Sequence, residues 1–200
     1  RGKHGFTLRE FSPGGGFAVQ YTLDTPAPDI AYFAQAIADT IKSKSKKLGL
    51  KPPRLIVEPG RAIVGRAGVA IYRVGSIKDI PGIRKYVAID GGMADNIRPA
   101  LYSSKYEALI ANKANKSDFE RVSIVGKFCE SGDVLVRDAD MPKVVSGDII
   151  AIPVSGAYCL SMASNYNASL KPAIVLVNDS GARLIRRRES YDDLMSCDVG

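Results

Sequence analysis

"RLIVEPGRAIVGRAGVAIYRV", residues 54–74, is the stretch at which the chain changes from one architecture to another. It opens with a short apolar run that proline and glycine terminate, as at the end of a strand. Upstream, residues 6–12 predict another strand and residues 29–48 predict a helix, with Asp29 as its N-cap and Gly49 as its end. The order strand–helix–strand indicates a β/α unit with parallel strands.

Beyond residue 62 the chain consists mainly of short β-rich runs, which turns containing glycine, serine, asparagine and aspartate separate. This spacing predicts an all-β barrel or sandwich, and residues 94–113 interrupt it with loop and short-helix character. The sequence therefore predicts a mixed fold class, α/β plus all-β. Residues 1–61 are expected to be the end of a β/α domain, and residues 62–200 a β domain.

Composition excludes several classes of function. Of the 200 residues 46% are hydrophobic, yet the apolar runs are too short to span a bilayer, so no membrane association is expected. The net charge of +7 is concentrated in residues 42–51 and 183–190, where no aromatic side chains alternate with the basic ones, so no nucleic-acid partner is expected. Three cysteines without a CxxC spacing and a single histidine predict no metal site and suit a reducing, cytoplasmic compartment.

Two glycine-containing loops follow predicted strands. Gly14, Gly15 and Gly16 can offer backbone N–H groups to a phosphate, although a flexible turn explains them equally well. In the segment EPGR, residues 58–61, the Gly60 amide and the Arg61 guanidinium can bind an anion. The carboxylate of Glu58 can pair with a protonated ring nitrogen. The alternative is an ion pair that closes a turn.

Three further groups have side chains suited to substrate chemistry. Arg98 and Tyr102 suit carboxylate recognition, and the hydroxyl of Tyr158 suits a phosphate, although all three also suit surface or packing positions. Cys129 and Glu130 stand side by side where a strand ends. They are either ordinary residues of a strand end, or a proton donor and a ligand clamp on a loop.

Taken in order, the segments GGGF, EPGR, DGGMADNIRPALY, GKFCESGDVL, GAYCLSMASNYN and RLIRRRESYDDLM resemble the diaminopimelate decarboxylase family, a branch of the pyridoxal 5′-phosphate (PLP) decarboxylases. The resemblance covers essentially the whole chain. It implies that residues 1–61 are the C-terminal part of a PLP-binding (β/α)8 barrel and that residues 62–200 are the β domain, with the last residues returning to pack on the barrel. It also implies decarboxylation of meso-2,6-diaminopimelate to L-lysine and CO2, the last step of lysine biosynthesis, in a homodimer whose sites are shared between the chains.

The resemblance assigns a role to each candidate residue. The residues implied to hold the cofactor are Gly14, Gly15, Gly16, Glu58, Gly60, Arg61 and Tyr158. Those implied to bind the substrate are Arg61, Arg98, Tyr102, Glu130 and Tyr158. Cys129 is implied to return a proton to the carbon that CO2 leaves, from a loop that the neighbouring chain supplies.

The family's Schiff-base lysine has no counterpart in these residues, so we expect the isolated chain to be inactive. Two other interpretations remain open. The chain can belong to a related decarboxylase of a basic amino acid or a carboxylated polyamine, or it can be a non-catalytic β-domain module that binds a partner or an anion.

Overall fold

The structure, a computed structural model, describes residues 4–199. Residues 1–3, at the start of the first predicted domain, and residue 200, at the end of the second, lie outside the described residues. Within these residues, strands occupy Glu10–Phe11 (β1), Arg54–Leu55 (β2), Ala70–Ile80 (β3), Arg84–Ile89 (β4), Leu109–Ile110 (β5), Phe119–Val125 (β6), Val134–Pro142 (β7), Ile149–Ile152 (β8), Ile174–Asn178 (β9) and Gly181–Arg186 (β10). Helices occupy Ile30–Lys47 (α1), Gly60–Val64 (α2), Arg98–Tyr102 (α3) and Tyr191–Leu194 (α4). The predicted fold class is confirmed, and the boundary between residues 61 and 62 stays a prediction.

Helix α1 connects the parallel strands β1 and β2, as the sequence predicts. The carboxylate of Asp29 accepts a hydrogen bond from the amide of Ala31 (2.8 Å) and caps the helix. The two strands are shorter than predicted. Pro13 lacks the amide hydrogen that would extend the ladder beyond Phe11. The two segments nevertheless stay side by side after the strands end, because the Glu58 amide donates to the Gly14 carbonyl (3.0 Å).

The β domain is a six-stranded sheet in the order β5-β8-β3-β4-β6-β7. Neighbouring strands are antiparallel except for β4 and β6, which are parallel. The edge strands β5 and β7 also contact each other, so the sheet curves into a nearly closed barrel. This curvature leaves little free strand edge for pairing with other chains. Of the two architectures that the sequence allowed, barrel or sandwich, the structure has the barrel.

Aliphatic side chains from all the barrel strands fill its interior. Val87, Ile124 and Ile150 are each 0% exposed, and burying a side chain of this size stabilises the fold by about 1.5–3 kcal/mol. The buried cluster consists of Tyr72, Val74, Val87, Ile89, Tyr106, Ile110, Val122, Ile124, Leu135, Val136, Met141, Val144, Ile150 and Ile152.

A buried carboxylate, that of Asp148, joins the segment before β6 to the turn before β8. It is 3% exposed and accepts hydrogen bonds from the Lys113 ammonium (2.7 Å), the Asn112 amide group (2.9 Å) and the Val145 backbone amide (2.8 Å). Burial alone would raise the pKa of Asp148, but these hydrogen bonds outweigh burial and lower the pKa. The carboxylate therefore stays ionised at neutral pH and fastens the two segments to each other.

Strands β9 and β10 form an antiparallel hairpin outside this barrel. Val175 and Val177 on β9 are 50% and 72% exposed, so the described residues leave apolar side chains of the hairpin uncovered. Among the helices of residues 4–199, none combines the length and the apolar composition needed to cross a bilayer.

The sequence analysis missed the two short helices α2 and α4. Helix α2 follows Pro59 within the segment that was interpreted only as a strand end. Helix α4 begins at a capping box, in which Ser190 and Asp193 exchange side-chain and backbone hydrogen bonds. Their spacing in the sequence is the usual signature of such a box and could have predicted this helix.

Replacing Ile124 with alanine is expected to lower the free energy of unfolding by about 2–5 kcal/mol, because a fully buried side chain is truncated and a cavity remains. Urea denaturation of the variant and the wild type measures the difference. The control is Ile83→Ala, in the turn between β3 and β4, where the side chain is 76% exposed and the expected change is below about 0.5 kcal/mol. Equal losses in both variants would contradict the assignment of Ile124 to the core.

Candidate active site

Two of the predicted motifs lie directly against each other. The chain around Gly14 to Gly16 runs beside Glu58, and a Cβ added at Gly15 would lie 2.6 Å from the Glu58 carbonyl oxygen. Gly14 and Gly16 have φ angles of 80° and 83°, a region that glycine adopts without strain. The hydroxyl of Ser12 accepts from the Gly14 amide (3.0 Å) and donates to the Glu58 carboxylate (3.0 Å). These contacts fix the glycine loop and the acid relative to each other.

A pocket of about 350 Å³ opens between these two motifs. Its lining residues are Gly15, Gly16, Phe17, Glu58, Pro59, Arg61 and Tyr158. The Arg61 guanidinium donates to the Phe17 carbonyl through Nε (3.4 Å) and Nη2 (3.3 Å), which holds its positive charge beside the glycines. Among the described residues, no acceptor takes a hydrogen bond from the Gly15 or Gly16 amide. The pocket therefore combines a fixed cation, free amide donors and one carboxylate, which suits a ligand with both an anionic group and a protonated nitrogen.

Tyr158 enters this pocket from the β domain because two backbone segments approach very closely. The Ser155 amide donates to the Gly68 carbonyl (2.8 Å), and the Gly156 amide donates to the Gly65 carbonyl (3.0 Å). A Cβ at Gly156 would overlap the carbonyl oxygen of Val64, so only glycine fits. Tyr158 itself has a φ of 61°, an uncommon conformation for a large residue, which the packed turn enforces.

Arg98 is the buried cation next to this pocket. The residue is 8% exposed, and its Nη1 donates to the hydroxyl of Tyr106 (2.7 Å). Its guanidinium carbon lies 4.8 Å from the ring centre of Tyr21 and 5.7 Å from that of Tyr158. Burial, the largest single influence, would lower the pKa of Arg98, but the hydrogen bond to Tyr106 and the other interactions with Tyr106 and Tyr21 together outweigh it, so the pKa is raised. The side chain is therefore a permanent positive charge that contacts the same tyrosine as the pocket.

The charge of Arg98 has no carboxylate partner within residues 4–199. Withdrawing such a charge from water costs several kcal/mol unless an anion compensates it. The Tyr106 hydroxyl and the three aromatic rings compensate the charge within the protein, and an anion would stabilise it further. The arrangement favours an anionic ligand at Arg98.

Tyr102, predicted to act with Arg98, shares no side-chain hydrogen bond with it in residues 4–199. Tyr102 is 59% exposed, and the Arg98 guanidinium donates its hydrogen bond to the Tyr106 hydroxyl instead. Ser103 adopts a left-handed conformation (φ 52°), which ends α3 and turns the chain back, so that Tyr106 faces the guanidinium. The sequence contains no spacing signal for this contact, and sequence analysis missed both Tyr106 and Tyr21.

The Cys129–Glu130 loop connects β6 and β7, and both side chains are exposed. Oε1 of Glu130 accepts from the Gly132 amide and the Ser131 hydroxyl, each at 3.3 Å. The Asn167 side-chain amide lies 3.9 Å from Cys129 Sγ. Neither Cys129 nor Glu130 lines the glycine pocket. The structure therefore brings together the predicted residues Gly15, Gly16, Glu58, Arg61, Tyr158 and Arg98, and it leaves the Cys129–Glu130 loop outside that group.

Comparison with known proteins agrees with this arrangement. Residues 21–156 match the family model described as pyridoxal-dependent decarboxylase, C-terminal sheet domain. The chain is 44% identical over 199 residues to a diaminopimelate decarboxylase of Bacillus subtilis (strain 168), covering 100% of the chain and 45% of that protein. It is 46% identical over 198 residues to a diaminopimelate decarboxylase of Staphylococcus aureus (strain COL), covering 98% of the chain and 47% of that protein. The chain thus spans about half the length of these curated relatives.

A solved structure has the same fold over the whole chain. The crystal structure of the M. jannaschii diaminopimelate decarboxylase in co-complex with L-lysine aligns with a TM-score of 0.91 at 40% identity. The alignment covers 100% of this chain and 45% of that one, so it includes both the α/β part and the β domain.

Replacing Gly156 with alanine is expected to displace Tyr158 and to lower the free energy of unfolding by about 1–3 kcal/mol, because the new Cβ would overlap the Val64 carbonyl oxygen. Urea denaturation measures the stability, and a crystal structure of the variant measures the displacement. Gly75→Ala is the control, since a Cβ there lies 3.7 Å from its nearest neighbour, an ordinary contact. An unchanged Tyr158 in the Gly156 variant would contradict the packing role of this glycine.

Proposed function

Since the chain belongs to the pyridoxal-dependent decarboxylase family, we propose that it forms the C-terminal part of an enzyme that converts meso-2,6-diaminopimelate to L-lysine and CO2. In this proposal residues 1–61 complete a PLP-binding (β/α)8 barrel, and residues 62–200 form the β domain. The lysine that anchors the cofactor is expected outside these residues, so the activity belongs to the full-length protein. The full-length protein is expected to be cytoplasmic.

The observation that carries this proposal is the buried guanidinium of Arg98. It lacks a carboxylate partner within the described residues, and it contacts Tyr158, which lines the pocket of the glycine loop. A substrate with a carboxylate at each end offers the anion that such a charge requires. A neutral ligand would gain little from this charge, whereas a carboxylate would gain a charge-assisted hydrogen bond.

The pocket residues fit PLP. Bound there, PLP supplies an electron-withdrawing ring, which stabilises the negative charge left when CO2 departs. The free amides of Gly15 and Gly16 and the fixed charge of Arg61 suit its phosphate, and Glu58 suits its protonated ring nitrogen. The full set of residues proposed to hold the cofactor is Gly14, Gly15, Gly16, Glu58, Gly60, Arg61 and Tyr158.

The substrate residues divide by charge. Arg61 and Arg98 suit carboxylates, Glu130 suits the distal ammonium, and the hydroxyls of Tyr102 and Tyr158 add neutral hydrogen bonds. Cys129 is proposed to hold the proton that returns to the carbon from which CO2 leaves. Because Cys129 and Glu130 do not line the glycine pocket of their own chain, we propose that a second copy supplies them and that the enzyme is a homodimer.

Replacing Arg98 with lysine in the full-length enzyme is expected to raise KM for diaminopimelate about 10- to 100-fold, because a hydrogen bond to a charged group contributes about 1.5–3 kcal/mol. Lysine keeps the positive charge but lacks the planar guanidinium, which can donate to the Tyr106 hydroxyl and to a carboxylate at the same time. Steady-state kinetics measure the effect. Arg183→Lys, on the exposed strand β10, is the control and should leave KM unchanged. An unchanged KM in the Arg98 variant would contradict its role in binding the substrate.

Replacing Cys129 with alanine is expected to lower kcat by a factor of about 10²–10⁴ with little change in KM, because a proton donor acts in the chemical step. Cys129→Ser, which keeps a weaker donor, should fall between the alanine variant and the wild type. The control is Cys197→Ala, at another exposed and free cysteine. If the alanine variant kept both the wild-type rate and the L-lysine product, Cys129 would not be the donor.

A further inference from the structure

A second buried carboxylate, that of Asp133, has no role in the proposed chemistry. It lies directly before β7, at the end of the loop that carries Cys129 and Glu130, and it is 3% exposed. Its Oδ1 accepts a hydrogen bond from the Met93 amide (2.7 Å), and its Oδ2 accepts one from the Phe128 amide (2.9 Å). Both oxygens therefore receive backbone donors, and the two donors come from different loops.

The first of these loops leads to Arg98. It runs from Gly91 through Met93 to helix α3, and Arg98 is the first residue of that helix. The Lys127 amide also donates to the Gly91 carbonyl (3.1 Å), so the two loops touch through their backbones as well. A shift of the Asp133 carboxylate would therefore also displace the loop that leads to Arg98.

The second loop carries Cys129 and Glu130. Phe128, which donates to Asp133, directly precedes Cys129, and the Asp133 amide donates to the Glu130 carbonyl (3.0 Å). The Gly126 amide donates to the Asp133 carbonyl (3.0 Å). Asp133 thus holds the loop by hydrogen bonds on both sides of Cys129, at Phe128 and at Glu130.

Two glycines leave room for this carboxylate. A Cβ added at Gly92 would lie 2.6 Å from Oδ1 of Asp133, and a Cβ added at Gly126 would overlap the same carboxylate. A carboxylate that merely filled space would not need two neighbours without side chains. The surrounding backbone is shaped to let a single acid reach two loops.

We propose that Asp133 is a positioning residue, whose carboxylate fixes the loop of Cys129 and Glu130 and the loop that leads to Arg98 relative to each other. The significance of this link for catalysis rests on the proposed function, which assigns proton donation to Cys129 and carboxylate binding to Arg98. If Cys129 serves the site of a second copy while Arg98 serves its own, Asp133 connects two active sites through one side chain.

The test is Asp133→Asn in the full-length enzyme. Since both carboxylate oxygens accept N–H donors, the amide must turn its own NH2 group toward one of them, and one loop loses its attachment. We expect kcat to fall at least about tenfold, because a misplaced catalytic group is costly even when all the groups are present. We also expect the rate at which iodoacetamide alkylates Cys129 to change at least about threefold, because the exposed thiol is no longer held in one environment by the fixed loop.

Asp148→Asn is the matched control. Asp148 is equally buried at 3% exposure and also accepts hydrogen bonds through both carboxylate oxygens, but its donors Asn112, Lys113 and Val145 belong to neither loop. We expect it to lower the free energy of unfolding about as much as Asp133→Asn, while kcat and the alkylation rate stay within about twofold of the wild type. If Asp133→Asn left both rates unchanged, or if Asp148→Asn reduced kcat equally, the positioning role would be wrong.

Hydrogen exchange in the wild-type enzyme tests the same link without any variant. The Met93 and Phe128 amides should exchange as slowly as the amides of the central strand β4. Exchange as fast as that of open loops would overturn the proposal, even if the asparagine variant failed to fold. A wild-type enzyme that is inactive on diaminopimelate would refute the proposed function, whereas exchange and alkylation would still decide the role of Asp133.

Discussion

The rest of the candidate site depends on the contact between the backbones of residues 64–68 and 155–156. Two hydrogen bonds join the segments, Ser155 to Gly68 and Gly156 to Gly65, and neither Gly68 nor Gly156 leaves space for a Cβ. This contact fixes the segment that follows α2 to the turn that precedes Tyr158. Because Arg61 lies just before it in one segment and Tyr158 just after it in the other, it also sets the width of the pocket between them. A looser connection would leave the motifs intact but lose their mutual geometry.

Close to that fixed point, the buried charge of Arg98 lies against Tyr158, which lines the pocket, and favours an anionic ligand there. A guanidinium among three tyrosine rings is stabilised by the rings and by one hydroxyl, and it keeps its charge without a carboxylate partner among the described residues. An anionic ligand would gain a charge-assisted hydrogen bond from this guanidinium. Such a site favours selectivity for anions, since a neutral ligand gains little from the charge. The same reasoning explains why a tyrosine rather than a phenylalanine suits position 106, since its hydroxyl accepts a hydrogen bond from Arg98.

Sequence reasoning succeeded where local rules apply. The helix at residues 29–48 followed from its end signals Asp29 and Gly49, and the parallel pairing of β1 with β2 followed from the strand–helix–strand order. It failed where contacts depend on how distant segments pack. Tyr106 reaches Arg98 only because Ser103 is left-handed, and Asp133 reaches Met93 only because the barrel brings two loops together. Neither contact has a spacing that a single sequence can reveal.

The position of the Cys129 loop also bears on how the proposed site is assembled. A proton donor must come within hydrogen-bonding distance of the reacting carbon, yet Cys129 lies outside the pocket of its own chain. A large loop movement could bring it there, but Asp133 fastens both ends of that loop through buried hydrogen bonds, whose loss would cost about 1–3 kcal/mol for each buried group left unpaired. A second copy can present the loop as it stands, with no such loss. The rigidity of the loop therefore favours a site built from two chains over one in which the loop folds back onto its own pocket.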